Sequence, residues 1–474
     1  MKEMLEMALY LYNTLSRKIE EFKPLKDKII TIYSCGPTVY DSPHIGHGRH
    51  EIIMDSFTRF LEYIGYEVRY VENITDIDDK IIAKAEKMGL TPGEVALIFT
   101  LDYFEQMEKL GVRRAWRHPQ ATNHIQEMIE MIKSLIEKGY AYEVDGDVYF
   151  SVNKFKEYGK LSKQDINSLR KGARVEIDER KKDPIDFALW KKSKPNEPAW
   201  SSPWGMGRCG WHIECSVMSI KYLGETIDIH AGGEELIFPH HENEIAQSEA
   251  YTGKPFVRYW MHHGLITIKA EKMAKSIGNV ILINELLERY DADTFRYFVL
   301  SAHYRNPLEY SEESMIAAQN TMNNVKRAIK KIEYALSYPS KEIKEEINIE
   351  IEKFKEEIIK ELSYDFNTPK ALALLIELTY KIADNANKIN SEDLKEFLKT
   401  IKELWNALGF FQEKKLDKKE ILIKDLLKII LEIREIEREK KNYELSDFIR
   451  EKLRKLGIEI EDTPYGTFWF LNRS

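Results

Sequence analysis

Residues 29–74 constrain the fold of this chain more than any other stretch, because they read in turn as strand, helix and strand. Residues 29–33 form an apolar run typical of a buried strand, and a Gly-Pro pair follows it closely. Apolar residues recur at helical spacing over residues 52–64, and residues 68–74 form a second, β-branched run. Parallel strands need a crossover connection, which is usually a helix. The stretch therefore predicts a βαβ unit of a Rossmann-like parallel sheet.

The junction between the first predicted strand and the helix carries His44-Ile45-Gly46-His47. The histidines are three positions apart, so both lie on one face at the start of a helix. Gly46 has no side chain, which leaves room for a flat base to approach. Free amides and the helix dipole favour phosphate at such a position. The segment indicates a nucleotide site, although a capping turn with two surface histidines explains it equally well.

A second candidate segment, Lys272-Met-Ala274-Lys275-Ser-Ile-Gly-Asn, lies far downstream. Two lysines on a short loop supply mobile point charges, which a departing pyrophosphate needs. By itself the segment is a solvated basic turn. Together with His44 and His47, it resembles the HIGH and KMSKS motifs of class I aminoacyl-tRNA synthetases. Ala274 stands where that family has serine, so the resemblance transfers the lysine roles but not a role of the serine hydroxyl.

The bulk properties of the chain limit its class. Its 474 residues are too many for one hydrophobic core, so about two to four domains are expected. Hydrophobic and charged shares of 43% and 32% predict a soluble globular protein. Residues 1–12 mix acids into a short apolar patch and lack a basic n-region, which predicts no signal peptide, and no later apolar run is long enough to span a membrane. Three cysteines are too few for a disulfide framework and predict the reducing cytoplasm. The net charge of −8 argues against indiscriminate nucleic-acid binding, but a structured RNA can still bind a local field.

Strands and helices continue to alternate between the two motifs. Helices are predicted over residues 92–110 and 121–138, and Asp145-Gly146 predicts a hairpin. The later elements are predicted as a loop over 198–210, a helix over 211–223, a strand over 226–230, a helix from about 239 and a strand-like run over 257–268. This alternation predicts an α/β fold with a doubly wound parallel sheet and an inserted subdomain.

Two charged stretches in this region allow more than one interpretation. Asp76, Asp78 and Asp79 open a predicted helix, where complementing the helix dipole is favoured over binding a metal. Residues 154–194 are rich in lysine and arginine. They form either a solvated surface excursion or a contact with the acceptor end of an RNA.

From about residue 311 the composition shifts to Lys, Glu, Ile and Leu at helical spacing, which predicts a helical bundle. Two short strands about a turn end the chain, where Trp469 packs in a small core or stacks on an unpaired base. The predicted domains are 1–115 and 201–270 (the two halves of the Rossmann-like catalytic domain), 116–200 (the inserted subdomain), 271–310 (the lysine loop and a stem-contact region), 311–413 (the helical bundle) and 414–474 (a small α+β domain).

Four residues are candidate metal ligands. His240 and Glu244 are four positions apart, so they project from one helical face and suit a single ion. Cys35 and Cys215 both fall near predicted strand ends. A set of two cysteines, a histidine and a glutamate suits zinc, which accepts thiolate and imidazole together. Two unrelated buried cysteines and a surface His/Glu pair remain the alternative.

Several blocks are similar to one family, the cysteinyl-tRNA synthetases, over about residues 12–469. The blocks begin at Cys35 (CGPTVYD), Asn73 (NITDIDDK), Asp186 (DFALW), Gly210 (GWHIECS) and Phe238 (FPHHENE). The resemblance implies one zinc ion per chain, held by Cys35, Cys215, His240 and Glu244. It also implies an amino-acid pocket lined by Thr75, Trp211 and His230 with Gly36 and Thr38 close by, and an anticodon-binding domain at the carboxyl end. Cys209 lies outside the ligand pattern and is predicted to be a free thiol.

The resemblance implies a two-step reaction. L-cysteine attacks MgATP to give cysteinyl-adenylate, and the 3′-terminal adenosine of tRNA(Cys) then takes the cysteine. His44 and His47, with Gly46 between them, would bind ATP and stabilise phosphate charge, and Lys272 and Lys275 would stabilise pyrophosphate. Zinc would select the substrate thiol over the near-isosteric serine hydroxyl.

Two other functions remain open. A cysteine ligase acting on an amino-sugar would share the fold, the zinc site and both motifs. A non-catalytic RNA-binding paralogue is disfavoured because both histidines and both lysines are intact.

Overall fold

The computed structural model describes residues 8–165, 180–195, 197–268, 271–272, 280–337, 349–412, 418–463 and 466–471. Its strands are β1 (Tyr10–Asn13), β2 (Lys18–Glu21), β3 (Ile29–Ser34), β4 (Glu67–Glu72), β5 (Ala141–Val144), β6 (Asp147–Phe150), β7 (Phe187–Lys192), β8 (Trp200–Ser202), β9 (Gly205–Cys209), β10 (Ile227–Gly233), β11 (Val257–His263), β12 (Ile266–Ile268), β13 (Glu271–Lys272), β14 (Leu308–Tyr310), β15 (Ile458–Thr463) and β16 (Gly466–Leu471). Its α-helices are α1 (Ile45–Tyr63), α2 (Asp79–Met88), α3 (Pro92–Lys109), α4 (Ile125–Glu137), α5 (Trp211–Leu223), α6 (Glu242–Thr252), α7 (Ile283–Arg289), α8 (Ala292–Leu300), α9 (Glu312–Ser337), α10 (Ile351–Ser363), α11 (Thr368–Asn385), α12 (Ser391–Ala407), α13 (Lys418–Glu439) and α14 (Tyr443–Lys455).

A parallel sheet with the strand order β11–β10–β3–β4 lies at the centre of the described residues. Every residue of β10 is buried, as in a sheet that helices cover on both faces. Successive residues of β3 point to opposite faces, so Ile32 joins the core under α1, α8 and the helical bundle. Its neighbour Tyr33 joins the core under α4, α5 and α6. The predicted doubly wound sheet is confirmed.

An antiparallel sheet with the order β5–β6–β7–β9–β8 lies between α4 and α5 in the chain. The predicted hairpin is confirmed, and Asp145 and Gly146 turn it with positive φ angles of 54° and 92°. The prediction of a loop over 198–210 is wrong, because β8 and β9 form a hairpin there. Backbone pairing with β7, for example Trp190 with Cys209, gives this Gly-rich stretch its partners.

The aspartates that precede and open α2 cap the helix or pair with neighbouring side chains. Asp78 caps α2 by accepting a hydrogen bond of 2.9 Å from the Lys80 amide, so this helix begins later than predicted. Asp76 accepts a 2.6 Å hydrogen bond from the Thr122 hydroxyl, and Asp79 pairs with Lys191 at 3.1 Å. These contacts favour the capping and pairing explanation over a metal cluster. Residues 166–179 of the basic excursion lie outside the described residues.

The run over 257–268 was predicted as one strand, but it divides into β11 and β12 at Gly264. A Cβ atom on Gly264 would lie 2.5 Å from the Asn306 carbonyl oxygen, so only glycine permits this close approach. After the bend, β12 leaves the central sheet and pairs with β13 and β14.

The helical bundle and the terminal hairpin are confirmed as α9–α12 and β15–β16. The terminal part has its own small core, in which Leu427 and Leu431 of α13 meet Leu453 of α14. The side chain of Trp469 is outside the described part of the structure. Among the helices that the structure describes, none has the length and apolar character required to span a bilayer.

Candidate active site

The four predicted metal ligands come together beside the carboxyl ends of β3 and β10. Cys35 directly follows β3, and Cys215 lies in α5. His240 lies in a short helical turn before α6, and Glu244 lies in the first turn of α6. One ligand atom from each of the four residues lies within 4.8 Å of all the others. The fold thus brings together residues that are up to 209 positions apart in sequence.

The distances in this cluster fit one tetrahedral ion. The two sulfur atoms are 3.5 Å apart, and Cys35 Sγ lies 3.3 Å from Glu244 Oε1. His240 Nε2 lies 3.0 Å from the same oxygen. In a tetrahedral zinc site, neighbouring ligand atoms are roughly 3.3–3.8 Å apart. The cluster is therefore close to the size that such an ion requires, with two sulfur, one nitrogen and one oxygen donor.

Two further histidines orient these ligands. His212 Nδ1 lies 2.8 Å from His240 Nδ1, which leaves His240 Nε2 directed to Glu244. His230 Nε2 lies 2.8 Å from Glu244 Oε2, which leaves the other carboxylate oxygen to the cluster. Hydrogen bonds of this kind are a regular feature around metal ligands. His212 was missed by the sequence reasoning, because nothing in its local pattern separates it from a capping histidine.

The charges within the cluster are strongly coupled. Burial would raise the pKa of Cys215, but the hydrogen bond with Cys35 and the charge of His240 lower it to about 6. Burial raises the pKa of Cys35 well above its usual value. Burial would lower the pKa of His240, but Glu244 and Cys215 raise it to about 10. Cys215 and Glu244 therefore concentrate negative charge here, and a metal that binds would displace the protons that balance it.

A second donor set, which the sequence did not predict, overlaps the first. Cys35, His230, His241 and Glu244 also place one ligand atom each within 4.8 Å of the others. His241 Nε2 is 3.4 Å from Cys35 Sγ but 3.9 Å from Glu244 Oε1. Since His230 Nε2 is already bonded to Glu244, we regard this set as the surroundings of the first. The adjacent pair His240-His241 was the one sequence signal for it.

Residues predicted for the amino-acid pocket surround this cluster. Gly36 donates a 3.0 Å hydrogen bond to the Asn73 side chain, and a Cβ atom on Gly36 would lie 1.7 Å from the Asn73 carbonyl oxygen. Thr38 forms a bridge with Thr75. The Trp211 ring is 40% exposed, and its centroid lies 4.1 Å from that of His240.

Thr75, His230 and Cys209, by contrast, are buried. The Thr75 hydroxyl donates to Glu214 at 2.9 Å. His230, predicted for the same pocket, is fully buried and bonded to Glu244. Cys209 is buried 3.8 Å from Glu214 Oε1 and belongs to neither donor set, as expected for a free thiol.

His44 and His47 share one face of the first turn of α1, as predicted. His44 is the N-cap, and its Nδ1 accepts a 3.1 Å hydrogen bond from the Gly46 amide. His47 Nδ1 accepts a 3.1 Å hydrogen bond from the His44 amide, and the two rings stack at 3.9 Å. Because Nδ1 accepts in both neutral rings, the proton of each lies on Nε2.

The ends of the lysine loop can be located, although Ala274 and Lys275 lie outside the described residues. Lys272 belongs to β13, which pairs with β12. Downstream, Ile281 accepts a 3.0 Å hydrogen bond from the Ile45 amide. His44 also forms a bridge with Leu282. The downstream end of the loop therefore lies directly beside the first turn of α1.

Comparisons with known proteins show which family this chain resembles. The family model described as the class I (C) tRNA synthetase catalytic domain matches residues 21–320, and the DALR domain model matches residues 357–412. The chain is 50% identical to the cysteine–tRNA ligase of Thermodesulfovibrio yellowstonii, over 97% of this chain and 98% of that protein. It is 47% identical to the cysteine–tRNA ligase of Aquifex aeolicus, over 98% and 99%. Among solved structures, Mycobacterium tuberculosis methionyl-tRNA synthetase in complex with methionyl-adenylate shares the fold, with a TM-score of 0.57, 16% identity, and coverage of 80% of this chain and 89% of that one.

Proposed function

The chain belongs to the cysteine–tRNA ligase family of class I aminoacyl-tRNA synthetases, and we propose that it attaches L-cysteine to tRNA(Cys) at a zinc-centred active site. The observation that carries this proposal is the convergence of Cys35, Cys215, His240 and Glu244, whose ligand atoms lie within 4.8 Å of one another at the carboxyl end of β3. We place the reaction in the cytoplasm, where free cysteines such as these stay reduced.

A zinc ion at this site would account for selectivity between cysteine and serine. The two amino acids differ at one atom, and a pocket that relies on shape separates such near-isosteres by only about 10–200-fold. A zinc ion at the four ligands would bind a thiolate far better than a hydroxyl, since it is soft enough to prefer sulfur. The chain's own part is to hold the ligands in place, through His212 on His240 and His230 on Glu244.

In the first step, the cysteine carboxylate attacks the α-phosphorus of MgATP, which forms cysteinyl-adenylate and releases pyrophosphate. We assign His44 and His47 to the phosphates, because their Nε2–H groups are donors at the positive end of the α1 dipole. Gly46 leaves space for the adenosine. Lys272 and Lys275 would supply positive charge to the departing pyrophosphate.

In the second step, the 3′-terminal hydroxyl of tRNA attacks the acyl carbon and AMP departs. No side chain is needed as a covalent nucleophile, so catalysis consists of positioning and charge stabilisation. Gly36, Thr38, Thr75 and Trp211 would form the walls around the amino acid. Gly36 is suited to this because any larger residue would collide with Asn73.

If the chain were instead a cysteine ligase acting on an amino-sugar, its helical carboxyl-terminal part would have no role in the reaction. A ligase acting on a small amine needs no surface far from the active site, whereas tRNA must be held along its length. The match of the DALR model within the bundle also favours tRNA. In the terminal domain, Arg450 pairs with Asp462, so Lys452 and Arg454 are better candidates for phosphate contacts.

Truncation after residue 413 should separate the two steps. The small core of the terminal domain is distinct from the rest, so its removal should leave cysteine-dependent exchange of pyrophosphate into ATP nearly intact. Aminoacylation of tRNA should fall sharply through weaker tRNA binding, and binding by the full chain should weaken with added salt.

Two controls accompany this experiment. Serine in place of cysteine should support little pyrophosphate exchange, and a melting curve should show that the truncated protein is folded. Absence of cysteine-dependent exchange in the full chain would overturn the proposed activity. A folded truncated protein that charges tRNA as well as the full chain would remove the terminal domain from tRNA binding.

A further inference from the structure

A second cluster of metal-type donors lies on α1, one turn beyond His47. It consists of His50 and Glu51 of α1 and Glu72 at the end of β4, with one ligand atom from each within 4.8 Å of the others. Glu51 and Glu72 are 4% and 1% exposed. None of the three residues belongs to the sulfur-containing site or to the proposed reaction.

The hydrogen bonds of His50 fix which ring nitrogen carries a lone pair. His263 donates from Nδ1 to the Gly264 carbonyl oxygen at 3.0 Å, so its Nε2 is an acceptor. His50 Nδ1, 2.9 Å away, must then be the donor to it. His50 Nε2 is therefore the lone-pair nitrogen, and it lies 4.0 Å from Glu51 Oε1. The Ser34 hydroxyl donates to this nitrogen at 2.6 Å but has an alternative acceptor in the Ala231 carbonyl oxygen at 3.4 Å.

Glu72 is oriented in the same way. The Tyr103 hydroxyl donates to Glu72 Oε1 at 2.7 Å. His118 Nε2 accepts from the Ala115 amide at 3.1 Å, so the proton of a neutral His118 is on Nδ1, which lies 3.3 Å from Glu72 Oε2. Metal ligands typically have such outer partners, which fix both the ring tautomer and the carboxylate direction.

A separate observation points to a ligand at this position. Glu51 and Tyr70 line one cavity of about 230 Å³, which is large enough for an ion with several waters. Tyr70 is only 8% exposed, and its hydroxyl makes no hydrogen bond of ordinary geometry within the described residues, with the Ser34 hydroxyl close by. Tyr70 and Glu72 are two positions apart in β4, so their side chains point to the same face of the sheet. The cavity thus gives Glu51, on one side of the cluster, a route to solvent and brings the Tyr70 hydroxyl to the same space, which Arg113 and Arg114 also line.

We infer that His50, Glu51 and Glu72 form a second divalent metal site, with the Tyr70 hydroxyl and waters of the cavity completing the coordination. One imidazole nitrogen and two carboxylates, without sulfur, suit a harder first-row ion such as Mn²⁺. Two buried carboxylates side by side are costly unless a cation or a shared proton compensates them. An ion here would tie β4 to α1, the helix that begins with His44 and His47.

Manganese binding by the full chain tests this inference. The protein is stripped with a chelator, given one equivalent of zinc to fill the sulfur-containing site, and titrated with Mn²⁺ while free Mn²⁺ is followed by electron paramagnetic resonance. One Mn²⁺ should bind per chain and raise the melting temperature. Glu51→Gln, which keeps the shape of the side chain, should weaken binding by about tenfold or more.

Two control variants locate the ion. Glu62→Gln alters the same helix and cavity but not the three donors. Cys215→Ala alters the sulfur-containing site and is titrated without added zinc, which that site could no longer hold. Both variants should bind Mn²⁺ like the original chain. If Glu51→Gln does not fold, Glu72→Gln is tested in its place. Absence of bound Mn²⁺ in the original chain, equal binding by Glu51→Gln, or loss only in Cys215→Ala would each overturn the inference.

Discussion

Replacing Cys215 with alanine is expected to release most of the bound zinc and to abolish most cysteine-dependent pyrophosphate exchange. The substitution removes one of two sulfur donors from a buried cluster whose sulfur atoms are 3.5 Å apart. Loss of an outer partner of a metal ligand already weakens binding by about 10–100-fold, so loss of a ligand should cost at least about 100-fold. Metal analysis after dialysis, together with the exchange assay, measures both effects.

Cys209→Ala is the matched control for this experiment. Cys209 is also buried and close to a carboxylate, Glu214, but it belongs to neither donor set. The variant should retain zinc and exchange activity. If Cys209→Ala loses zinc while Cys215→Ala keeps it, the ligand assignment is wrong.

Lys275→Ala should slow adenylate formation by about 10²–10³-fold, the usual cost of losing one charged contact to a transition state. Cysteine binding should change far less, because the negative charge that Lys275 meets develops mainly as pyrophosphate departs. The downstream end of its loop lies beside His44, which is where that charge would appear. Single-turnover adenylation, with cysteine affinity measured separately, distinguishes the two effects.

Ala274→Ser provides a comparison within the same loop. It restores the serine that the family motif carries, and we expect a small effect because the two side chains are similar in size. If Lys275→Ala forms the adenylate as fast as the original chain does, Lys275 is excluded from the mechanism.

Local sequence patterns predicted the elements whose partners are close in sequence. The βαβ unit from β3 to β4 followed from one apolar run, one helical spacing and one β-branched run, and Asp145-Gly146 specified the hairpin of β5 and β6. The prediction of a loop over residues 198–210 was wrong because the Gly, Ser and Pro content of this stretch is typical of loops. Its strand character depends on pairing with β7, and a partner strand is invisible in local composition.

The sequence predicted that the four candidate ligands come together, but it predicted less of what surrounds them. The i, i+4 spacing of His240 and Glu244 indicated one face of a helix, and the family motifs added Cys35 and Cys215. His212 and the cluster of His50, Glu51 and Glu72 were missed. Each depends on a contact between elements that are separated in the chain, and side chains of this kind look like ordinary helix or strand residues until the sheet is assembled.

The central claim is that the metal at Cys35, Cys215, His240 and Glu244 recognises the thiol of the substrate. Absorption spectroscopy of the cobalt-substituted protein tests it directly, because thiolate ligands of Co²⁺ give intense charge-transfer bands. Adding cysteine should increase the thiolate-to-cobalt absorption, while serine at the same concentration should leave it unchanged. A spectrum that does not change at saturating cysteine would contradict the claim.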